Sequence, residues 1–213
     1  YESAFALATK LEEVNTLRRT KEAELSEIAY EQAASTYKGE RCLLVAGQGW
    51  HEGVKGIVAS RLTNIYKVPT ILFTIDGDEA RGSGRSIGEV NLFRAIEESS
   101  RDLLTKFGGH SAAVGVTLPA ANLDAFRKRL DAYMATLPES AFQSVQVIDA
   151  SVALSELTME NVQLLNKLAP YGQENPEPCL TARNVLIERA KVVGADKNHF
   201  SCRLTDGRYT IDG

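Results

Sequence analysis

Residues 41–75 carry three patterned runs: Arg41-Cys42-Leu43-Leu44-Val45-Ala46, then Val54-Lys55-Gly56-Ile57-Val58-Ala59-Ser60-Arg61-Leu62, then Pro69-Thr70-Ile71-Leu72-Phe73-Thr74-Ile75. The first two are joined by Gly47-Gln48-Gly49-Trp50-His51-Glu52-Gly53. The first run is short and apolar, the second repeats apolar residues at helical spacing, and the third is β-branched and apolar. Strand, helix, strand in this order predicts a right-handed crossover joining two parallel strands, and so an α/β fold.

Downstream, residues 83–87 read as a further strand, 91–106 as a helix, 111–118 as a strand of small residues, and 122–137 as a helix with Leu123, Phe126, Leu130 and Tyr133 on one face. Upstream, apolar residues recur at helical spacing through 3–37 without Pro or Gly, with a break expected near Asn15. Such a helix serves either as a connector between domains or as a peripheral cover for the core. Beyond the α/β region, 145–153 alternates like a strand, 158–168 reads as a short helix capped by Thr158, and residues 169–178 form a rigid, turn-rich bridge. Short strands are then expected at 180–187, 190–193, 200–204 and 209–211, separated by polar turns at 194–198 and 205–208. This last pattern suggests a small OB-like β-barrel that is truncated before closure. The expected organisation is a long connecting helix at 1–38, an α/β domain with a mixed or parallel sheet at 39–140, and the barrel at 141–213. The chain opens at Tyr1 already inside a helical pattern and stops at Ile211-Asp212-Gly213 inside a strand, which reads as a fragment of something longer.

Among 213 residues, 24 Lys and Arg stand against 28 Asp and Glu, a formal net charge of −4 that excludes a non-specific, histone-like nucleic-acid binder. Binding to a polyanion must come from a local basic patch. Cys42, Cys179 and Cys202 are widely separated and odd in number, which fits reduced thiols better than a disulfide framework, and no Cys/His spacing matches a zinc site. No apolar run approaches the roughly 20 residues needed to span a bilayer and no signal peptide is evident, so the expected setting is cytoplasmic with no membrane partner.

Two glycine-rich stretches carry the candidate chemistry: Arg81-Gly82-Ser83-Gly84-Arg85-Ser86 and Phe107-Gly108-Gly109-His110. Cationic and hydroxyl side chains beside glycines let a bulky anion approach the backbone, with exposed N–H groups sharing its charge. Gly/Ser/Arg runs also occur in ordinary loops, and a lone histidine is usually a satisfied structural one. His51, beside Trp50 at the start of the predicted helix, either caps that helix, packs on the indole or contacts substrate. Phe200 alternates with Cys202 and Leu204, which favours core over a stacking platform.

The motifs in combination resemble a family. Gly49-Trp50-His51-Glu52-Gly53 leading into Gly56-Ile57-Val58-Ala59-Ser60-Arg61-Leu62, the two glycine-rich stretches with Ser111-Ala112-Ala113-Val114-Gly115 following, Leu168-Ala169-Pro170-Tyr171-Gly172 and Asn175-Pro176-Glu177-Pro178 are similar to the C-terminal half of RecJ-family single-strand-specific 5′-to-3′ DNA exonucleases. The resemblance covers essentially the whole chain. It implies a DHH-associated α/β domain and an OB-like domain, acting in DNA repair and recombination, with manganese or magnesium held by a separate DHH domain. That Asp-His-His motif is absent here, so no cofactor or metal is expected in this chain, which by itself should be catalytically inert although the parent is an enzyme. The resemblance further implies that Ser83 and Arg85 hold the 5′-phosphate end of single-stranded DNA and that the loop with Gly108 and Gly109 faces the active-site cleft; Arg81, Ser86 and His51 are further candidate substrate contacts from their own chemistry, a guanidinium, a hydroxyl and a place at a helix start. His110 would face the cleft and assist at the phosphate. Single-strand-binding protein and a RecQ-type helicase are the protein partners it suggests. The alternatives are a DHH-family nano-RNase or cyclic-dinucleotide phosphodiesterase, against which the 175–178 bridge and the following barrel argue, and a non-catalytic single-strand-binding module.

Overall fold

The computed structural model describes residues 2–172, 174–194 and 197–212. Gln173 of the bridge, Ala195 and Asp196 of the polar turn, and the terminal Tyr1 and Gly213 lie outside the described residues. The chain divides into two compact units, Tyr1–Val145 and Gln146–Gly213.

The first unit opens with α1 (Glu2–Thr36), followed by β1 (Leu43–Gln48), α2 (Glu52–Tyr66), β2 (Thr70–Asp76), β3 (Glu79–Arg85), α3 (Leu92–Ser100), β4 (Lys106–His110), β5 (Ala113–Pro119) and α4 (Leu123–Ala135). The five strands form one mixed sheet in the order β1-β2-β3-β5-β4, with β1 and β2 parallel across α2 and the remaining neighbours antiparallel. The two faces are covered unequally. One face packs on α3 and α4 through Ile71, Phe73, Val114, Val116, Phe126 and Leu130, with Phe73 and Phe126 edge to face at 5.8 Å. On the other face, Leu43, Val45 and Leu72 pack against Val58 and Leu62 of α2 and against Leu25, Ala29 and Ala33 of α1, and α2 reaches across to β3, where Lys55 donates to the Arg81 carbonyl; β5 and β4 lie beyond this cover.

Several expectations need correction. Helix α1 runs without a break, because Asn15 is followed by no proline or glycine and its side-chain oxygen accepts from Arg18 one turn on. Its second half packs on the core, as the covering-helix reading expects, and Glu22, only 7% exposed, is gripped by Arg18 and by Arg61 of α2. The helix predicted over 91–106 ends at Ser100, and Lys106 already belongs to a strand. The α/β unit also extends past residue 140, since the Phe142 side chain is buried in its core with the Arg41 guanidinium 5.0 Å over the ring.

The second unit contains β6 (Ala150–Ser151), α5 (Met159–Leu165), β7 (Leu180–Thr181), β8 (Leu186–Val193), β9 (His199–Thr205) and β10 (Thr210–Asp212). Thr158 caps α5 as expected, its hydroxyl accepting from Asn161 N–H at 3.2 Å. The strand predicted over 145–153 reduces to the Ala150–Ser151 pairing with β7. The strands expected at 180–187 and 190–193 instead form β7 and a single bulged β8, with the register shift between Glu188 and Lys191. Among the described residues the strands form a three-stranded antiparallel sheet and a two-stranded parallel pair, not a closed barrel.

Candidate nucleic-acid interface

Strand β3 is made of the first glycine-rich stretch, and it lies between β2 and β5 with both backbone edges paired from Glu79 to Arg85. Its N–H groups are therefore spent in the ladder, which overturns the expectation that they share an anion's charge. Two of its glycines serve the core. A Cβ on Gly82 would stand 2.6 Å from the Phe73 ring and 2.7 Å from a Val116 methyl, and one on Gly84 would stand 2.8 Å from a Val114 methyl. They are glycines because larger neighbours fill their side-chain space.

Ser83 and Arg85 alternate with these and point to the opposite face. The ladder aligns Arg85 with Ala113 of β5 and Ala113 with His110 of β4, while Ser83 aligns with Gly115 and Gly115 with Gly108. Residues directly opposite in an antiparallel ladder share a face, so Arg85, Ala113 and His110 form one row and Ser83, Gly115 and Gly108 the next. Two strand spacings put the Arg85 and His110 backbones roughly 10 Å apart. Above Gly115 and Gly108 an added Cβ would meet nothing within 4 Å. The half-sheet that α2 leaves uncovered is thus a glycine-floored trough, with Arg85 beside the helix and His110 on the outer strand.

The Arg85 guanidinium donates to the Gly84 carbonyl at 2.8 Å and lies 3.5 Å from Ser83 Oγ; it makes no ion pair among the described residues. His110 is exposed, and its Nδ1 accepts from Ala112 N–H at 3.3 Å, which turns Nε2 toward solvent as a donor. Gly109 is required by geometry, with φ at +139° and a Cβ that would lie 2.3 Å from the Ala113 carbonyl oxygen.

The other predicted residues are placed differently. The Ser86 hydroxyl donates to the Val90 carbonyl at 2.6 Å in the turn leading to α3, so its proton is committed. The Arg81 guanidinium is ringed by carboxylates, with Asp76 at 3.0 Å, Glu79 at 3.6 Å and Glu52 at 4.0 Å. His51 is the N-cap of α2, its Nδ1 accepting from Gly53 N–H at 3.2 Å, so the capping reading is realised. Trp50 lies instead across Gly47. With Gly49, Asp76 and Arg81, these two residues border an open cleft of about 520 Å3 at the start of α2.

Two participants were not singled out from sequence. Gly115 is the middle of the glycine row, and the alternation of Val114, Val116 and Leu118 with Ala113, Gly115 and Thr117 was the signal for it. Lys55 is fully buried in α2, donating to Glu52 at 2.8 Å and to the Arg81 carbonyl. Burial holds its ammonium below the usual lysine range, against the pull of Glu52.

Among the described residues no group of three or more His, Cys, Asp or Glu side chains is arranged to hold a metal ion. The converging Glu52, Asp76 and Glu79 are each already paired with Arg81 or Lys55, whose two positive charges offset all but one of the three negative ones. No helix among the described residues is long and apolar enough to cross a membrane. In the second unit, Phe200 is 58% exposed and pairs across the strands with Val192, which corrects its expected place in a core.

Comparison with known proteins finds two domain families along the chain. The DHHA1 domain matches residues 32–136 and the RecJ OB domain residues 148–213. The single-stranded-DNA-specific exonuclease RecJ of Bacillus subtilis is 34% identical over 209 residues, covering 97% of this chain and 26% of the relative. That of Salmonella typhimurium is 32% identical over 221 residues, covering 99% and 38%. The crystal structure of Thermus thermophilus RecJ in complex with Mn2+ superimposes with a TM-score of 0.78 at 28% identity, covering 98% of this chain and 30% of the other. The chain thus spans well under half the length of the relatives it matches. Matched along nearly its whole length by these relatives, and by DHHA1 and RecJ OB domains in succession, the chain belongs to the RecJ family.

Proposed function

We propose that the chain is the substrate-gripping portion of a single-strand-specific 5′-to-3′ DNA exonuclease, and that the trough over β3, β5 and β4 receives the 5′-phosphate end of an unpaired strand. The observation that carries this reading is the register row that puts Arg85 and His110 on one open sheet face, over a floor without side chains at Gly108 and Gly115. Arg85 presents a planar fork of donors suited to two phosphate oxygens, Ser83 adds a hydroxyl, and His110 adds a ring N–H from the far side. Binding and orienting the terminal nucleotide is the work of these residues. Hydrolysis belongs to a metal-bearing part outside this chain, in keeping with the Mg2+ and Mn2+ named for the Thermus thermophilus structures. Single-stranded DNA is the proposed ligand of the RecJ OB domain as well, with single-strand-binding protein and a RecQ-type helicase as proposed protein partners and the cytoplasm as the proposed setting.

The test is the affinity of a 3′-labelled oligothymidylate carrying either a 5′-phosphate or a 5′-hydroxyl, at two salt concentrations. The phosphorylated strand is expected to bind about tenfold tighter, as one charge-assisted contact warrants, and Arg85→Ala should abolish the difference. Equal affinity for the two ends contradicts a terminal-phosphate pocket. With Mn2+ present, the chain alone is expected to leave both strands intact, and cleavage would contradict the division of labour.

A further inference from the structure

A glycine in the interior of a helix weakens it relative to alanine, and α2 carries one at Gly56, a full turn past its cap. The backbone conformation does not ask for it, since Gly56 is absent from the positive-φ residues. Nor does the apolar packing of α2, which runs through Val54, Val58, Ala59 and Leu62. What occupies the missing side-chain space is Arg85. A Cβ on Gly56 would stand 2.4 Å from one terminal guanidinium nitrogen, 3.0 Å from Cζ and 3.3 Å from the other nitrogen. The guanidinium lies against the bare helix backbone, and the Gly84 carbonyl and Ser83 Oγ hold its other side.

We infer that Gly56 is a positioning residue for phosphate-end recognition: its missing side chain lets the Arg85 guanidinium lie against α2 and fixes where that fork stands at the edge of the trough. This role rests on the function proposed above, because it concerns how Arg85 is aimed rather than whether Arg85 is used. A methyl group at residue 56 would not disturb the core, since the atoms it displaces are the far end of a flexible side chain. It would push the guanidinium off the helix and out of its present place at the edge of the trough. Helix propensity and ligand binding should then respond in opposite directions, a signature that a glycine required for folding does not give.

The experiment compares the wild-type chain, Gly56→Ala, Arg85→Ala and the double variant. It measures the affinity ratio for 5′-phosphorylated over 5′-hydroxyl oligothymidylate together with the melting temperature. Gly56→Ala is expected to lose most of the roughly tenfold phosphate preference while its melting temperature holds or rises, and to add nothing once Arg85 has been removed. A retained preference in Gly56→Ala beside a lost one in Arg85→Ala overturns the role of Gly56 and leaves the proposed function standing. A fall in melting temperature, or a loss that adds to that of Arg85→Ala, shows a structural glycine and also overturns the role. If Arg85→Ala itself keeps the preference, the terminal-phosphate reading fails, and Gly56 falls with it.

Discussion

Gly82 and Gly115 lie on the neighbouring strands β3 and β5 and differ in what an added methyl group would meet: the Phe73 ring and Val116 for one, open space for the other. Gly82→Ala is therefore expected to destabilise the protein by about 1–3 kcal/mol through overpacking. Gly115→Ala should leave stability unchanged or raise it by up to ~1 kcal/mol, since glycine inside a strand is entropically costly, while weakening binding of the phosphorylated strand. Denaturant unfolding and oligonucleotide titration of both variants check the pair, and a destabilised Gly115→Ala would contradict the open floor. The sequence makes the chemistry of Arg85, Ser83 and His110 legible, because those residue types suit a phosphate wherever the backbone runs. It does not disclose which glycines serve a ligand and which serve the core, since that depends on the cross-strand neighbours. For the same reason Arg81 and Ser86 look equivalent to Arg85 and Ser83 until Asp76, Glu79 and the Val90 carbonyl come into contact with them.

At the scale of elements, the β1-α2-β2 crossover is legible because its apolar runs are long and the three periodicities differ. Strand β3 is legible only in part, as a strand over 83–87 where the structure has Glu79–Arg85, because Arg-Gly-Ser-Gly-Arg has the composition of a turn. Only the antiparallel pairing with β2 and β5 on both sides makes it a central strand. Helix α1 shows how far an element can be read without its packing. Its apolar residues recur along the whole length, yet Leu25, Ala29 and Ala33 are buried while Leu11 is 69% exposed. Leu25→Ala is expected to cost about 2–4 kcal/mol of stability, as a cavity under the helix would, and Leu11→Ala less than about 0.5 kcal/mol. Equal effects in chemical denaturation would contradict the placement of the packed half.

Across the whole molecule, net negative charge and the proposed phosphate-binding trough are compatible because the cations it would use are few and local. Arg85 has no carboxylate partner among the described residues, whereas Arg18, Arg61, Arg81, Arg94 and Arg129 are each engaged with one. The three cysteines are free thiols, Cys42 buried and Cys179 and Cys202 half-buried. Burial pushes the Cys42 thiol well above the usual cysteine range, which disfavours the nucleophilic thiolate. Iodoacetamide should label Cys179 and Cys202 under native conditions and reach Cys42 only after unfolding. Native labelling of Cys42 would contradict the core. The β-rich second unit was legible as short strands and polar turns. Its strand pairing was not: the break expected between 187 and 190 is a bulge inside β8, and the separate strand β7 already ends at Thr181, a register that composition does not encode.

The central claim is that Arg85 and His110 serve one ligand from the two sides of one trough. Nuclear magnetic resonance of the isotopically labelled chain tests it directly, by following the Arg85 guanidinium and His110 imidazole signals as 5′-phosphorylated and 5′-hydroxyl oligothymidylate are added in turn. Both signals are expected to shift together with the phosphorylated strand, along the same saturation curve, and to move much less with the hydroxyl strand. Movement of only one of the two, or identical shifts with both strands, would contradict a shared phosphate-end site.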